Sequence, residues 1–145
     1  MLQKTEYPRP QDILPHDKPM LLVEKIENFE FGKSLIASTQ FDPSCYFFKG
    51  HFEGNPIVPG VILVESMFQT CGLYLRLSAE KSEEFRVIQG RAIKIKEASF
   101  LKEVKPNEEL SIYVQFKHRM MHFFIFECYI KVNDKVVCKS ELVLA

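Results

Sequence analysis

Between Gly60 and Leu77 this chain places Val61, Ile62, Leu63, Val64, Met67, Phe68, Cys71, Leu73, Leu75 and Leu77. The run is too long for one strand and apolar on nearly every side, the signature of a buried central helix rather than an amphipathic surface one. Such a helix needs a partner that covers its whole circumference. The rest of the chain supplies strands. Leu21–Phe29 and Leu35–Phe41 read as an antiparallel pair about Phe31-Gly32-Lys33. After the helix come Phe85–Ile95, a short segment at Ala98–Val104 and a turn at Pro106-Asn107-Glu108. Leu110, Ile112, Val114 and Phe116 then alternate with polar residues, the period of a half-buried strand. His122–Val132 and Lys135–Leu144 form a hairpin across Asn133-Asp134. The expectation is an α+β fold in one domain over 1–145, an antiparallel sheet wrapped around one helix.

Composition narrows the function. The 145 residues suit a single domain with an adequate core, and thirteen Phe supply bulk where Trp is absent. Lys plus Arg equals Asp plus Glu at 19 each, which argues against nucleic acid as the partner. No apolar run approaches the roughly 20 residues that span a bilayer, so no membrane role is expected. The four cysteines (Cys45, Cys71, Cys128, Cys138) form no C-x-x-C pair and have no histidine at zinc-ligand spacing. With a polar, Pro-rich N-terminus that does not read as a secretory signal, they are taken as free thiols in the cytoplasm. Four of the eight prolines fall in residues 1–19, which discourages regular structure there.

Chemistry gathers around the helix start. Glu65 is a carboxylate inside the most apolar segment. Burial would make it costly unless bonded and would favour its protonated form, suiting a general acid. A cleft-facing or ion-paired structural role fits its position too. Gln69, four residues on, shares its face and either orients that carboxylate or is simply solvated. Upstream, the loop Asp42–Gly60 holds His51 among aromatics and glycines. Its imidazole is a base near neutrality if it faces a cleft, and otherwise a surface residue. Gly60 opens the helix, where a free N–H at the positive dipole end would polarise a carbonyl. Pro59-Gly60 would equally serve as plain punctuation.

The stretch GHFEGNPIVPGVILVESMFQ, with ILPHDKPMLLVEKI before it and KVVCKSELVLA at the end, resembles the FabZ-type (3R)-hydroxyacyl-acyl carrier protein dehydratases. That resemblance implies the hotdog fold and dehydration of a 3-hydroxyacyl thioester to its trans-2-enoyl product. It implies His51 as the base at C2 and Glu65 as the acid at the 3-hydroxyl. Gly60 and the Ile57 backbone would bind the thioester carbonyl, with Phe52 and Gln69 lining the substrate site. It further implies an acyl carrier protein as partner and a homodimer, or a trimer of dimers, whose sites join His51 of one subunit to Glu65 of the other. No metal or redox cofactor is called for.

Glu53, Val58, Asp17, Ser99, Leu101 and Lys102 depart from the family pattern, which bears on carrier recognition and chain preference. Arg91, Lys94 and Lys96 are candidates for a basic docking patch. His16 is read as structural, and His118 and His122 as surface residues. The competing functions are a hotdog acyl thioesterase and a non-catalytic acyl-thioester binder.

Overall fold

The computed structural model describes residues 6–86 and 90–145. A one-turn helix α1 (Pro10–Ile13) precedes β1 (Lys25–Glu30) and β2 (Ser34–Gln40). A loop containing a short 3-10 turn at Tyr46–Phe48 leads into α2 (Gly60–Ala79). After a second 3-10 turn, Glu83–Phe85, come β3 (Ala92–Phe100), β4 (Glu109–Met120), β5 (Phe123–Val132) and β6 (Lys135–Leu144). The six strands form one sheet in the order β1-β2-β4-β5-β6-β3, antiparallel at every step. Among the described residues, no helix is long and apolar enough to cross a membrane.

The sheet wraps α2 because its strands alternate. Leu35 and Ala37, Leu110, Ile112 and Val114, Phe124 and Phe126, Leu142 and Leu144 all turn inward and are buried. On α2 itself, fifteen of twenty residues are buried, so the helix is enclosed as its sequence requires. Tyr74, near its end, meets Phe29, Phe85, Phe116 and Phe126 with ring centroids 5.4–6.0 Å apart. At the β5–β6 turn, Asn133 and Asp134 both take positive φ (50° and 63°), as a two-residue hairpin demands.

Three expected boundaries move, each for a packing reason. The first strand begins at Lys25 rather than Leu21. Leu22 N–H donates to Gln69 Oε1 at 2.9 Å and its C=O accepts from the Thr39 hydroxyl, so side chains take the place of a ladder there. Phe85 lies in a turn rather than opening a strand, because its ring fills the aromatic cluster against Tyr74 and Phe116. Consequently β3 runs from Ala92 to Phe100 and absorbs the start of the segment assigned to Ala98–Val104; Val87, Ile88 and Gln89 of the expected strand lie outside the described residues. A short helix also forms in the Pro-rich leader, with Pro10 in its first turn where no N–H is missed.

All four cysteines are free thiols. Cys71 and Cys128 meet across the helix–sheet interface at 3.6 Å between sulfurs. Burial pushes the Cys71 thiol up, and burial with the neighbouring Cys128 pushes Cys138 to about 12. An alkylating reagent near pH 8 is therefore expected to label Cys45 alone in the folded protein, and all four thiols after unfolding. Mass spectrometry reads the count; rapid labelling of Cys71 or Cys138 in the folded chain would contradict their burial.

Candidate active site

His51 is held by its own loop. Gly50 and Gly54 adopt φ of +84° and +75°, a conformation that side chains rarely take, and turn the chain sharply on either side of the histidine. Ile57 N–H donates to the His51 carbonyl at 2.9 Å. In return, His51 Nδ1 lies 2.9 Å from the Ile57 carbonyl oxygen. A carbonyl only accepts, so Nδ1 carries the proton and Nε2 presents a lone pair. The Phe52 ring stacks on the imidazole at 4.3 Å and 21°, limiting its rotation. Phe52 itself is 54% exposed.

The loop is pinned where it meets the helix. Val58 N–H donates to Val104 O at 2.8 Å, tying it to the chain beyond β3. Pro59 caps α2, and the N–H of Gly60 in the first turn has no intrahelical acceptor. The glycine is dictated by close approach: a Cβ at position 60 would lie 2.8 Å from Phe100 Cε1. His51, Ile57, Gly60 and Phe100 line one concavity of about 520 Å³ with Val61 and Leu101 among its other walls. A base and a helix N-terminus thus face a common apolar space. That combination can take a proton next to a carbonyl whose developing charge is held by the N–H.

Glu65 opens elsewhere. It lines a narrow cleft with His16, Gln69 and Arg76, and is absent from the walls around His51. Of the expected site residues, a single chain therefore gathers His51, Ile57 and Gly60 in one place and Glu65 with Gln69 in another; Phe52 backs the imidazole. Glu65 is also half-buried rather than buried, with 29% of its side chain exposed.

The carboxylate is nonetheless oriented. Gln69 Nε2 donates to Glu65 Oε1 at 3.1 Å and to Met20 O at 2.7 Å, while Gln69 Oε1 accepts from Leu22 N–H. Gln69 is buried and fully bonded, which decides against the solvated alternative. His16 Nε2 approaches the same Oε1 at 3.5 Å, and its Nδ1 is buried with no partner among the described residues. Both neighbours converge on Oε1, leaving Oε2 without a side-chain partner among the described residues.

The sequence reading assigned His16 no part here, and no local spacing connects it to a residue 49 positions away. Arg76 was also missed, although its signal was present: residues 65, 69, 72 and 76 fall on one helical face. His118 and His122 sit in β4 and at the β4–β5 tip, exposed as expected. Among the described residues, no group of three or more His, Cys, Asp or Glu is arranged to hold a metal ion.

The comparisons with known proteins agree with one another. The family model described as a FabA-like domain matches residues 14–141. The 3-hydroxyacyl-[acyl-carrier-protein] dehydratase FabZ of Pediococcus pentosaceus is 32% identical over 131 residues, covering 90% of this chain and 85% of that one. The enzyme of the same name from Pseudoalteromonas translucida is 35% identical over 133 residues, covering 92% and 87%. Among solved structures, the dehydratase heterocomplex ApeI:P from Xenorhabdus doucetiae superposes with a TM-score of 0.81 at 19% identity, covering 96% of this chain and 91% of that one. A hypothetical thioesterase with coenzyme A from Streptococcus pneumoniae superposes with a TM-score of 0.62 at 18% identity, covering 83% and 82%. At those identities the structures speak for the fold alone, an α+β hotdog. The family model and the curated relatives go further: this chain belongs to the FabA-like domain family.

Proposed function

We propose that this protein dehydrates (3R)-3-hydroxyacyl thioesters on acyl carrier protein to the trans-2-enoyl form, in fatty-acid or related polyene biosynthesis. The observation that carries the reading is the 2.9 Å contact of His51 Nδ1 with the Ile57 carbonyl, which leaves Nε2 as a base beside the Gly60 N–H. The curated relatives, named as dehydratases of this class, support it. With the thioester carbonyl on the Gly60 N–H, His51 Nε2 removes a C2 proton and negative charge grows on the carbonyl oxygen. Glu65 Oε2 protonates the 3-hydroxyl, the C3–O bond breaks, and water leaves as the C2–C3 double bond forms. The proton now on His51 passes to Glu65 before the next turnover. Gln69 and His16 hold Oε1, and Phe52 steadies the imidazole.

The separation of His51 from Glu65 into two concavities supports a homodimer with shared sites. β3 is an edge strand that is exposed along nearly its whole length, with Ile95 51% exposed. A bare apolar edge of this kind invites pairing with another strand. Two copies joined β3 to β3 would continue the sheet, and three such dimers would make a hexamer. Lys94 and Lys96 on β3 offer positive charge to an acidic carrier, although Lys96 Nζ also reaches Glu141 at 3.8 Å. A cytoplasmic setting agrees with the four free thiols, and residues 1–145 act as one hotdog unit.

Incubation with 3-hydroxyacyl-carrier protein is expected to give loss of water from the bound acyl group, read by mass spectrometry. His51→Ala and Glu65→Gln are each expected to lower that rate by about 10² or more while leaving the melting temperature near wild type. Release of the free acid instead would move the chain to thioester hydrolysis. Ile95→Lys is expected to convert a dimer to a monomer in sedimentation and to abolish turnover with it. A monomeric wild-type protein with full activity would end the shared-site reading.

A further inference from the structure

Glu65, Gln69, Gly72 and Arg76 follow one another along a single face of α2, at the i, i+4, i+7 and i+11 positions that a helix superimposes. All four line the same cleft, with Leu14 and His16 on one side and Leu144 among the other walls. The cleft encloses about 70 Å³ in one chain, far less than a pocket that takes in a whole ligand. Gly72 lets Arg76 and Leu14 approach the helix: a Cβ there would be in contact with both Arg76 Nη1 and Leu14 Cδ2 at 3.4 Å.

Arg76 ends this face. It is half-buried, and burial works against its charge. Its one side-chain hydrogen bond among the described residues runs from Nη1 to Gly72 O at 3.3 Å. No Asp or Glu among them lies within ion-pairing distance of it. A structural role at the helix C-terminus would direct the guanidinium to the last carbonyls. It turns back toward Gly72 instead, an interior carbonyl already used by the helix ladder. Most of its five N–H donors have no partner among the described residues. The axial separation from Glu65 to Gly72 is about 10 Å, within reach of an acyl chain whose 3-hydroxyl lies at Glu65.

We propose that Arg76 receives the distal end of the acyl chain, and that the preferred substrates are 3-hydroxyacyl thioesters whose chain ends in an oxygen acceptor, above all a carboxylate. This rests on Glu65 acting at the 3-hydroxyl, as argued above. A methyl end would leave the guanidinium donors desolvated and unpaired, whereas a carboxylate accepts two of them in parallel. Sites built around such donors discriminate strongly against analogues lacking the acceptor.

The test uses the full chain and pantetheine thioesters matched in length, ending in carboxylate, hydroxyl or methyl, over short and medium chains. Binding is measured calorimetrically with saturated acyl forms that lack the 3-hydroxyl and cannot react; turnover is measured with the 3-hydroxy forms. The carboxylate-ended thioester is expected to bind roughly ten- to a hundredfold more tightly than the methyl-ended one, with the hydroxyl end between them. Arg76→Met is expected to reverse that order, and Arg76→Lys to keep part of it. A methyl-ended chain binding as well as the others in the wild type overturns the proposal, as does a preference that survives Arg76→Met. The wild-type comparison decides even if a variant fails to fold. Failure of the dehydratase reading is separable, because it appears as no turnover of any 3-hydroxy form while the binding order stands.

Discussion

Everything in this molecule depends on enclosing α2. A helix apolar on all sides is stable in water only when covered all round, and a curved antiparallel sheet with one apolar face does this with few residues. The strand alternation and the aromatic cluster at Tyr74 follow from that one demand. So does the treatment of polar groups on the helix. Ser66 and Thr70 bond back to the carbonyls of Leu63 and Ser66, so neither costs an unpaired group. Glu65, Gln69 and Arg76, which are not consumed in this way, line a cleft.

Gln69 links this architecture to the chemistry. It is buried, bonds the backbone at Met20 and Leu22, and spends its remaining contact on Glu65. The segment before β1 is thereby fastened to the helix, and the carboxylate is aimed by a side chain whose own position is over-determined. The His51 loop obeys a similar logic at the other end. Backbone bonds to Ile57 and Phe48, a stacked Phe52 and the Val58–Val104 link hold an imidazole in one tautomer beside the helix N-terminus. Each half of the proposed acid–base pair is rigid before any substrate arrives, which favours proton transfer at fixed geometry.

Much of this was legible in the residues. The helix at Gly60–Ala79 and the β5–β6 hairpin followed from period and turn chemistry, and His51 and Glu65 stood out as polar groups among apolar ones. What escaped was set by contacts distant in sequence. Phe85 reads as a strand residue by propensity, yet the cluster around Tyr74 pulls it into a turn. His16 meets Glu65 only because the leader crosses the helix, a contact across 49 positions that no local pattern encodes. The choice between the two readings of Gln69 was set by two backbone groups far upstream, Met20 and Leu22, that bury and bond it beside Glu65. Arg76 shares the helical face of Glu65 and Gln69, so its place in the cleft is encoded in the spacing 65, 69, 72, 76.

In the proposed mechanism, catalysis joins His51 of one subunit to Glu65 of another. Co-expression of His51→Ala with Glu65→Gln, each inactive alone, tests it in one assay. Mixed dimers then hold one intact site and one doubly damaged site, so dehydration of a 3-hydroxyacyl-carrier protein is predicted to recover to about a quarter of the wild-type rate. No recovery in verified mixed dimers would mean that both residues act within one chain, and would contradict the account.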